Sequence, residues 1–235
     1  ISATVYLTTG FVSSECSYWQ ERLNKLLLPI LANKKVFLGT DNIISTPEIN
    51  LKLKDLISKS DGKPIIFKFI DYLKKFTNDI ILKTISELEA FLEEQTITIS
   101  EDEHRSFVNW DEVNGINKPD ISFGSHTVNH PILTNEQTDI VENEISKSKE
   151  IIEKETGRDV IHFCYPNGNY NEEIRKVVSG SYKSACTTRS GFVSKNSDIL
   201  SLNRIGINEE MVSGWRGNFS KYVFTLSLFL ESIKK

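Results

Sequence analysis

The feature that most constrains this chain is the alternation of short buried strands with amphipathic helices after about residue 105. Strands joined by helices form parallel sheets, because each connection between parallel strands must cross the sheet. An earlier run of β-branched and aromatic residues at 3–10 adds a further strand. The sequence therefore predicts an α/β fold with a parallel sheet, either open or closed into a barrel. The strands are ATVYLTTG, DISFGSH, VIHFCYP, YKSACTT and LSLNRIGI, and the clearest helices are TNEQTDIVENEISKSKEIIEKETG and NEEIRKVVS.

The longest predicted helix carries start and stop signals. Thr134 and Gln137 have the spacing of a capping box, in which two side chains satisfy the first backbone N–H groups. Gly157 can adopt the left-handed conformation that ends many helices. The chain is predicted to close with another helix, and we expect its apolar seam at 219–233 to pack against the sheet.

A different pattern fills residues 15–104, where Leu, Lys, Glu and Ile dominate and strand signals fade. Apolar residues recur there at intervals of three and four, the spacing of one helix face. We therefore predict an inserted helical subdomain at 15–104, flanked by α/β segments at 1–14 and 105–235. Its predicted helices are YWQERLNKLLLPILA, INLKLKDLIS, PIIFKFIDYLKKF and DIILKTISELEAFLEEQ.

The composition argues against several kinds of partner and site. The formal net charge is −4, and no basic run with interleaved aromatic residues offers a surface for phosphates, so we expect no nucleic-acid partner. The three cysteines are widely spaced, which argues against a disulfide framework or a cysteine zinc site. The longest apolar stretch, YVFTLSLFL, is far shorter than the ~20 residues of a membrane span. No signal peptide is visible.

Two of the four histidines, His126 and His130, stand four residues apart where the predicted strand DISFGSH ends. In α/β folds, functional side chains gather at the carboxyl ends of parallel strands. Within one helical turn, side chains at i and i+4 project the same way, so both rings would reach one metal ion. Pro131 would keep such a turn short. The alternative is that both are ordinary loop histidines at the ends of a strand and a helix.

The residues between the histidines exclude one familiar zinc site. A peptidase of the HExxH kind needs Glu directly after the first His, and Thr127 stands there. No GxSxG elbow, P-loop or GxGxxG is present, so serine-hydrolase and nucleotide-binding functions have no support from motifs.

The segments GSHTVNHPIL and FCYPNGNYNEEI together resemble the polysaccharide deacetylases, the NodB-homology group also called carbohydrate esterase family 4. Further stretches extend the resemblance over residues 1–14 and about 105–207. It implies a deformed parallel (β/α) barrel of NodB type, incomplete at its N-terminus here and carrying a helical insertion. It also implies a divalent metal, usually Zn²⁺, and removal of N-acetyl groups from a cell-surface type of polysaccharide or oligosaccharide. The partner implied is an N-acetylated glycan.

The resemblance also assigns roles by position. It makes His126 and His130 the metal ligands, and it gives the backbone N–H of Asn167 the role of oxyanion donor. The remaining residues of the same turn are implied to contact the substrate: Tyr165, Pro166 and Gly168.

The chain departs from the family pattern in two respects. The Asp-Asp pair that supplies the base and the third metal ligand belongs upstream of the strand at 3–9, outside this sequence, so we expect these residues alone to release little acetate. Cys164 stands where many members have an arginine that orients the base. Arg204 is the candidate replacement, a surface ion pair being its other interpretation. His162 falls within a strand, so we expect it to be packed and not catalytic.

Two functions remain open from the sequence: a metal-dependent sugar N-deacetylase, and a non-catalytic NodB-like module that binds carbohydrate or a protein. The strand at 3–9 would border the upstream strand of the family barrel. We therefore predict either an exposed sheet edge beside 3–9, or a gap filled by a C-terminal segment or a second copy of the chain.

Overall fold

The structure, a computed structural model, describes residues 2–32, 43–45, 49–52, 65–97, 107–213 and 217–233. The strands are β1 (Ala3–Leu7), β2 (Ile43–Ser45), β3 (Asn50–Lys52), β4 (Ile121–Ser125), β5 (His162–Cys164), β6 (Ser184–Ser190) and β7 (Leu202–Arg204). The α-helices are α1 (Trp19–Ala32), α2 (Ile65–Leu73), α3 (Asn78–Glu94), α4 (Trp110–Gly115), α5 (Thr138–Thr156), α6 (Glu172–Ser181), α7 (Glu209–Val212) and α8 (Lys221–Ile233). Two 3₁₀ turns lie at Leu133–Asn135 and Pro166–Gly168.

Five parallel strands form one sheet in the order β1-β4-β5-β6-β7. This confirms the predicted α/β class with a parallel sheet. Within the described residues, β1 pairs with β4 alone and β7 pairs with β6 alone. The two arrangements predicted for the edge beside β1 both stay predictions.

The described residues divide into two compact units. The sheet unit comprises Ile1–Thr9, Asn117–Val128 and Val141–Lys235, and the helical unit comprises Gly10–Ile116 and Asn129–Ile140. The helical unit includes all of the predicted insertion at 15–104 together with flanking residues. The domain bounds expected from the sequence stay a prediction.

The sheet unit is held together by apolar residues from its strands and helices. The strand residues that are buried lie mainly in β4, β5 and the first half of β6, whereas β1 and β7 are mostly half-buried. Helix α5 ends as predicted at Gly157, whose φ of 67° is the left-handed conformation that glycine adopts without a Cβ clash. The principal buried residues are Leu7, Phe123, Ile145, Ile152, Val160, Phe163, Val178 and Ala185.

The helical unit has a separate hydrophobic core. The apolar stripes of α1, α2 and α3 meet there, as their spacing predicts. An aliphatic residue buried almost completely in such a core contributes about 1.5–3 kcal/mol. The fully buried members of the core are Leu23, Leu27, Ile30, Leu73, Ile85, Leu88 and Leu92.

Two local predictions are wrong. The stretch INLKLKDLIS does not begin as a helix, because residues 50–52 pair antiparallel with residues 43–45 in a small second sheet. The later residues of this stretch lie outside the described part of the chain. The predicted capping box does not form, because Thr134 lies in a 3₁₀ turn and α5 starts at Thr138. Asn135 fixes that turn by donating through Nδ2 to the carbonyl groups of Lys74 and Phe76, at 2.8 and 2.9 Å.

The C-terminal helix also differs from its prediction. Helix α8 packs against α7, because an antiparallel bridge between Ser213 and Phe219 turns the chain back on itself. Several apolar residues of α8 are exposed, including Leu226 and Leu230, whereas Val223 is half-buried. None of the helices in the described ranges combines the length and the apolar character needed to cross a membrane.

Candidate active site

The candidate site begins where β4 ends beside β1. The N–H of His126 donates to the carbonyl of Leu7 at 2.9 Å, and the N–H of Thr9 donates to the carbonyl of Thr127 at 3.1 Å. These bonds continue the parallel ladder beyond the last strand residues. The backbone at His126 is therefore fixed by the sheet, at the carboxyl ends of the strands where the sequence predicts the site.

The segment after His126 is an irregular loop and not the helical turn considered from the spacing. Thr127 is buried and has a φ of 69°, and His130 has a φ of 57°. A β-branched residue at positive φ is strained, and such strain persists only where the surroundings impose it. The loop is held by Glu144 of α5, whose carboxylate accepts from the N–H of Val128 at 2.8 Å.

A buried polar network supports the same loop from below. Glu144 is 4% exposed, and the adjacent Ser148 is fully buried. The hydroxyls of Ser125 and Ser148 lie 2.5 Å apart, and the Ser125 hydroxyl also accepts from the N–H of Thr127 at 3.3 Å. Burying polar groups costs free energy unless each is paired, so this network specifies one loop conformation.

A backbone carbonyl group helps to orient the His126 ring. Its Nδ1 lies 2.6 Å from the backbone oxygen of Cys164 in β5. A carbonyl only accepts, so Nδ1 carries the proton and Nε2 of the neutral ring keeps a lone pair. Burial lowers the pKa of His126, the charge of Arg204 acts in the same direction, and the hydrogen bond to Cys164 opposes them. The ring is therefore neutral near pH 7, as a metal ligand must be.

His130 belongs to the helical unit, where its ring packs against Tyr18. The two ring centroids are 4.7 Å apart at 45°, and Tyr18 also contacts the rings of Phe11 and Phe107. This aromatic cluster fixes the environment of His130. Since His126 lies in the sheet unit, convergence of the two rings on one ion stays a prediction.

The predicted oxyanion donor lies in the 3₁₀ turn after β5. Asn167 has a φ of 55°, and its carbonyl accepts from the Thr188 hydroxyl at 3.1 Å. Gly168 follows at φ 78°, and a Cβ at this position would lie 2.6 Å from the Thr188 backbone nitrogen. Only glycine fits there without displacing β6. The role of the Asn167 N–H as oxyanion donor stays a prediction.

Tyr165 and Pro166 support this turn from the core. The Tyr165 side chain is fully buried, donates to the carbonyl of Leu200 at 3.0 Å and stacks on Tyr170. A substrate contact by Tyr165 therefore concerns its backbone and stays a prediction. The predicted roles of Pro166, which is buried, and of Gly168 stay predictions as well.

Cys164, Cys186 and Tyr6 share the sheet face from which His126 bonds. Cys164 and Cys186 are direct neighbours in the register of β5 and β6, and the Tyr6 hydroxyl lies 3.4 Å from the Cys186 sulfur. Burial raises the pKa of Cys164 to about 11, so this thiol is protonated and unreactive near neutral pH. Cys164 cannot supply the positive charge of the arginine that it replaces.

Arg204 lies at the end of β7 and donates through Nε to the carbonyl of Thr187 at 2.7 Å. No carboxylate pairs with it in the described ranges, which removes the surface ion pair as its role there. Its charge lowers the pKa of both His126 and Cys164. Arg204 therefore supplies positive potential near the His126 ring; its catalytic role stays a prediction.

Two aspartates and a further histidine of the sheet unit make contacts with other residues. Asp198 forms an ion pair with Arg175, and the carbonyl of Asp120 accepts from Ala3 at the amino ends of β1 and β4. His162 lies in β5 with Nδ1 2.7 Å from the Ser184 hydroxyl, so it is packed within the sheet as expected. Over the described residues, no group of three or more His, Cys, Asp and Glu side chains is placed to hold a metal ion.

The sequence reasoning missed Glu144, which holds the histidine loop. A signal for it was present, because Glu144 lies on the same face of α5 as Val141, Ile145 and Ile152. A charged residue on the buried stripe of an amphipathic helix requires a partner in the core. That pattern predicts a buried acceptor, although it does not identify the group that donates.

Known proteins resemble the chain in this region. A family model described as polysaccharide deacetylase matches residues 67–181, a range that includes both histidines and the turn at 166–168. The Bacillus subtilis (strain 168) protein named "Putative polysaccharide deacetylase YxkH" is 28% identical over 92 residues, which cover 39% of this chain and 33% of that protein. The chain thus spans about a third of the length of this curated relative.

Two solved structures that are similar to this chain at low sequence identity are also described as deacetylases. BC0361, a polysaccharide deacetylase from Bacillus cereus, is 24% identical to this chain, with a TM-score of 0.40. The matched region covers 50% of this chain and 42% of the BC0361 chain. The Streptococcus pyogenes deacetylase PplD, in complex with acetate, is 21% identical with a TM-score of 0.43 and 82% coverage of each chain. The family match and the similarity to YxkH support the resemblance of this chain to the polysaccharide deacetylases that its sequence motifs indicate.

Proposed function

We propose that this chain is part of a metal-dependent hydrolase that removes N-acetyl groups from a polysaccharide or oligosaccharide of the cell-surface type. The observation that carries the proposal is the His126 ring, held neutral with Nδ1 on a carbonyl group and Nε2 free of a proton. That is the protonation state and the supporting contact of a metal-ligating histidine. Zn²⁺ is the cation that we propose, because imidazole nitrogen suits it.

The chain's own residues would each perform one task in this reaction. His126 and His130 would hold the metal through ring nitrogens. The N–H of Asn167, kept in a turn that only glycine at 168 permits, would donate to the acetyl oxygen as negative charge develops on it. The positive charge of Arg204 would favour an ionised carboxylate base nearby. A bound divalent metal supplies a Lewis acid that polarises the acetyl carbonyl.

A second candidate is a non-catalytic module of the same fold that binds carbohydrate. One observation favours it: the described residues contain no third metal-ligating side chain grouped with the histidines. A catalytic zinc is ordinarily held by three protein ligands and keeps one position open. The two candidates differ in one measurable product, which is free acetate.

The test measures acetate released from N-acetylglucosamine oligomers by the product of the complete gene, with Zn²⁺ and with a chelator. We expect release that depends on Zn²⁺ and falls at least a hundredfold in His126→Ala, because a lost ligand removes the metal. His162→Gln is the matched control, since His162 bonds only Ser184 within the sheet unit, and it should retain activity. Absence of acetate under all conditions, with oligomer binding retained, would favour the binding module.

A further inference from the structure

A pocket of about 390 Å³ lies within the helical unit, beside the loop that follows β1. Its wall includes Phe11 and Ser14 of that loop, Arg22 of α1, and Asn78 and Leu82 of α3. Asn129, the residue directly before His130, completes it. The volume falls in the range of small-molecule sites, which is about 300–1,000 Å³.

The pocket is electrically neutral. Arg22 is its one charged lining residue in the described part of the chain, and its guanidinium donates through Nη2 to both carboxylate oxygens of Glu89 at 2.8 and 2.9 Å. A third bond runs from Nε to Oε1 of Glu89 at 3.3 Å. The ion pair neutralises the charge of Arg22 and engages its Nε and Nη2 donors. The pocket therefore suits an uncharged ligand.

The lining combines amides and hydroxyls with apolar surface. Asn78 opens the first turn of α3, and its backbone N–H is fixed by the Glu136 carboxylate at 2.7 Å. The side-chain amide of Asn78 makes no hydrogen bond to any described residue, and it lies on the pocket wall. The apolar part of the lining consists of the Phe11 ring and the side chain of Leu82, which is 38% exposed. Sugar rings present hydroxyls at their edge and C–H groups on their faces, so they match such a lining.

The pocket is joined to His130 by shared residues. Asn129 precedes His130 in the chain, and the Tyr18 ring packs on both His130 and Phe11, each at 4.7 Å between centroids. Ser17 and Trp19, on either side of Tyr18, also line the pocket. The pocket is therefore linked to the second predicted metal ligand through Asn129 and the Tyr18 ring.

We propose that this pocket is a subsite for a neutral sugar of the acetylated glycan. The proposal rests on the deacetylase function proposed above. It gives the helical insertion a role in substrate selection: longer oligomers bind more tightly than the monosaccharide because one more ring occupies the pocket.

The test is calorimetric titration of the full chain with N-acetylglucosamine and with its tetramer. Asn78→Ala removes the pocket amide and should weaken tetramer binding about five- to tenfold, the loss expected for a hydrogen bond, without changing binding of the monosaccharide. Leu82→Trp places a larger side chain at a partly exposed position of the wall and should abolish the gain from chain length. Asn143→Ala on the exposed face of α5 is the control, and unfolding curves verify that each variant folds.

The outcomes separate this proposal from the proposed function. Unchanged tetramer affinity in both pocket variants would overturn the subsite. Acetate release at the wild-type rate and KM in both pocket variants would also overturn the subsite, but it would support the proposed deacetylase function. Tetramer binding that is lost in the pocket variants, without acetate release by any form, would refute the deacetylase function and retain a carbohydrate-binding pocket.

Discussion

Gly124 in β4 is the position where one added methyl group has the most predictable effect on the sheet unit. A Cβ there would lie 2.6 Å from two ring carbons of Tyr6 and 3.1 Å from the carbonyl oxygen of His162. Carbon atoms pack at about 3.5–4.0 Å, so the Tyr6 ring would have to move by about 1 Å. The Tyr6 hydroxyl is anchored near the Cys186 sulfur, which opposes that movement.

The net effect of Gly124→Ala follows from two opposed contributions. Replacing glycine within a strand gains about 0.5–1 kcal/mol of unfolding free energy through backbone entropy. Overpacking a filled site costs about 1–3 kcal/mol. We therefore expect a net loss of about 1–2 kcal/mol, measured by urea unfolding followed by circular dichroism. Gly180→Ala is the matched control, because nothing lies within 4 Å of its Cβ position in α6, and it should stabilise by about 0.5–1 kcal/mol.

A double-mutant cycle assigns the cost to the tyrosine ring. With Tyr6→Leu in the background, Gly124→Ala should cost at least 0.5 kcal/mol less than it does in the wild type, since close neighbours are not additive. A neutral or stabilising Gly124→Ala, or the same cost in both backgrounds, would refute the packing of Tyr6 across β4.

Three further outcomes follow from contacts in the sheet unit. Glu144→Ala should lower the free energy of unfolding by about 1–3 kcal/mol, because it leaves a buried N–H of the histidine loop unpaired, while Glu144→Gln keeps an acceptor oxygen and should cost less in urea unfolding. Iodoacetamide should label exposed Cys16 before Cys164 in mass spectrometry of the native chain, since burial raises the pKa of Cys164 to about 11; faster labelling of Cys164 would contradict its burial. The hydrogen bond to Arg175 lowers the pKa of Asp198, so this ion pair stabilises the fold above the ordinary aspartate pKa of about 3.9 and is lost as pH falls through the lowered value. Asp198→Asn should therefore lower the urea midpoint at pH 7 and have less effect near pH 3, and an equal effect at both values would contradict the ion pair.

Local signals accounted for much of the fold. The alternation of strands and helices is a repeated pattern, so β4 to β7 and the helices between them could be placed from the sequence alone. Gly157 ended α5 because its conformational freedom is intrinsic to the residue. Non-local contacts overrode other signals. Thr134 did not cap α5, because the neighbouring Asn135 bonds two carbonyl groups about sixty residues earlier in the chain.

In the candidate site, too, some features could be predicted from local sequence and others depended on distant contacts. The loops that bear His126 and Asn167 could be placed because parallel strands deliver their carboxyl ends to one edge. The strained φ of Thr127 and the hydrogen bond that Glu144 accepts from Val128 could not be predicted from the sequence. Each depends on contacts between residues that are distant in sequence. The helical turn suggested by the histidine spacing was wrong for this reason: spacing alone does not specify the backbone of a loop held from outside.

The central claim is that His126 and His130 hold one divalent metal ion. Crystals soaked in Zn²⁺ and measured on both sides of the zinc absorption edge test it directly, because the anomalous difference map locates zinc alone. The account predicts one strong peak about 2.0–2.1 Å from Nε2 of His126 and from a ring nitrogen of His130, lost in His126→Ala crystals. Zinc bound elsewhere, for example at His162, or histidine rings that point apart with no peak between them, would contradict it.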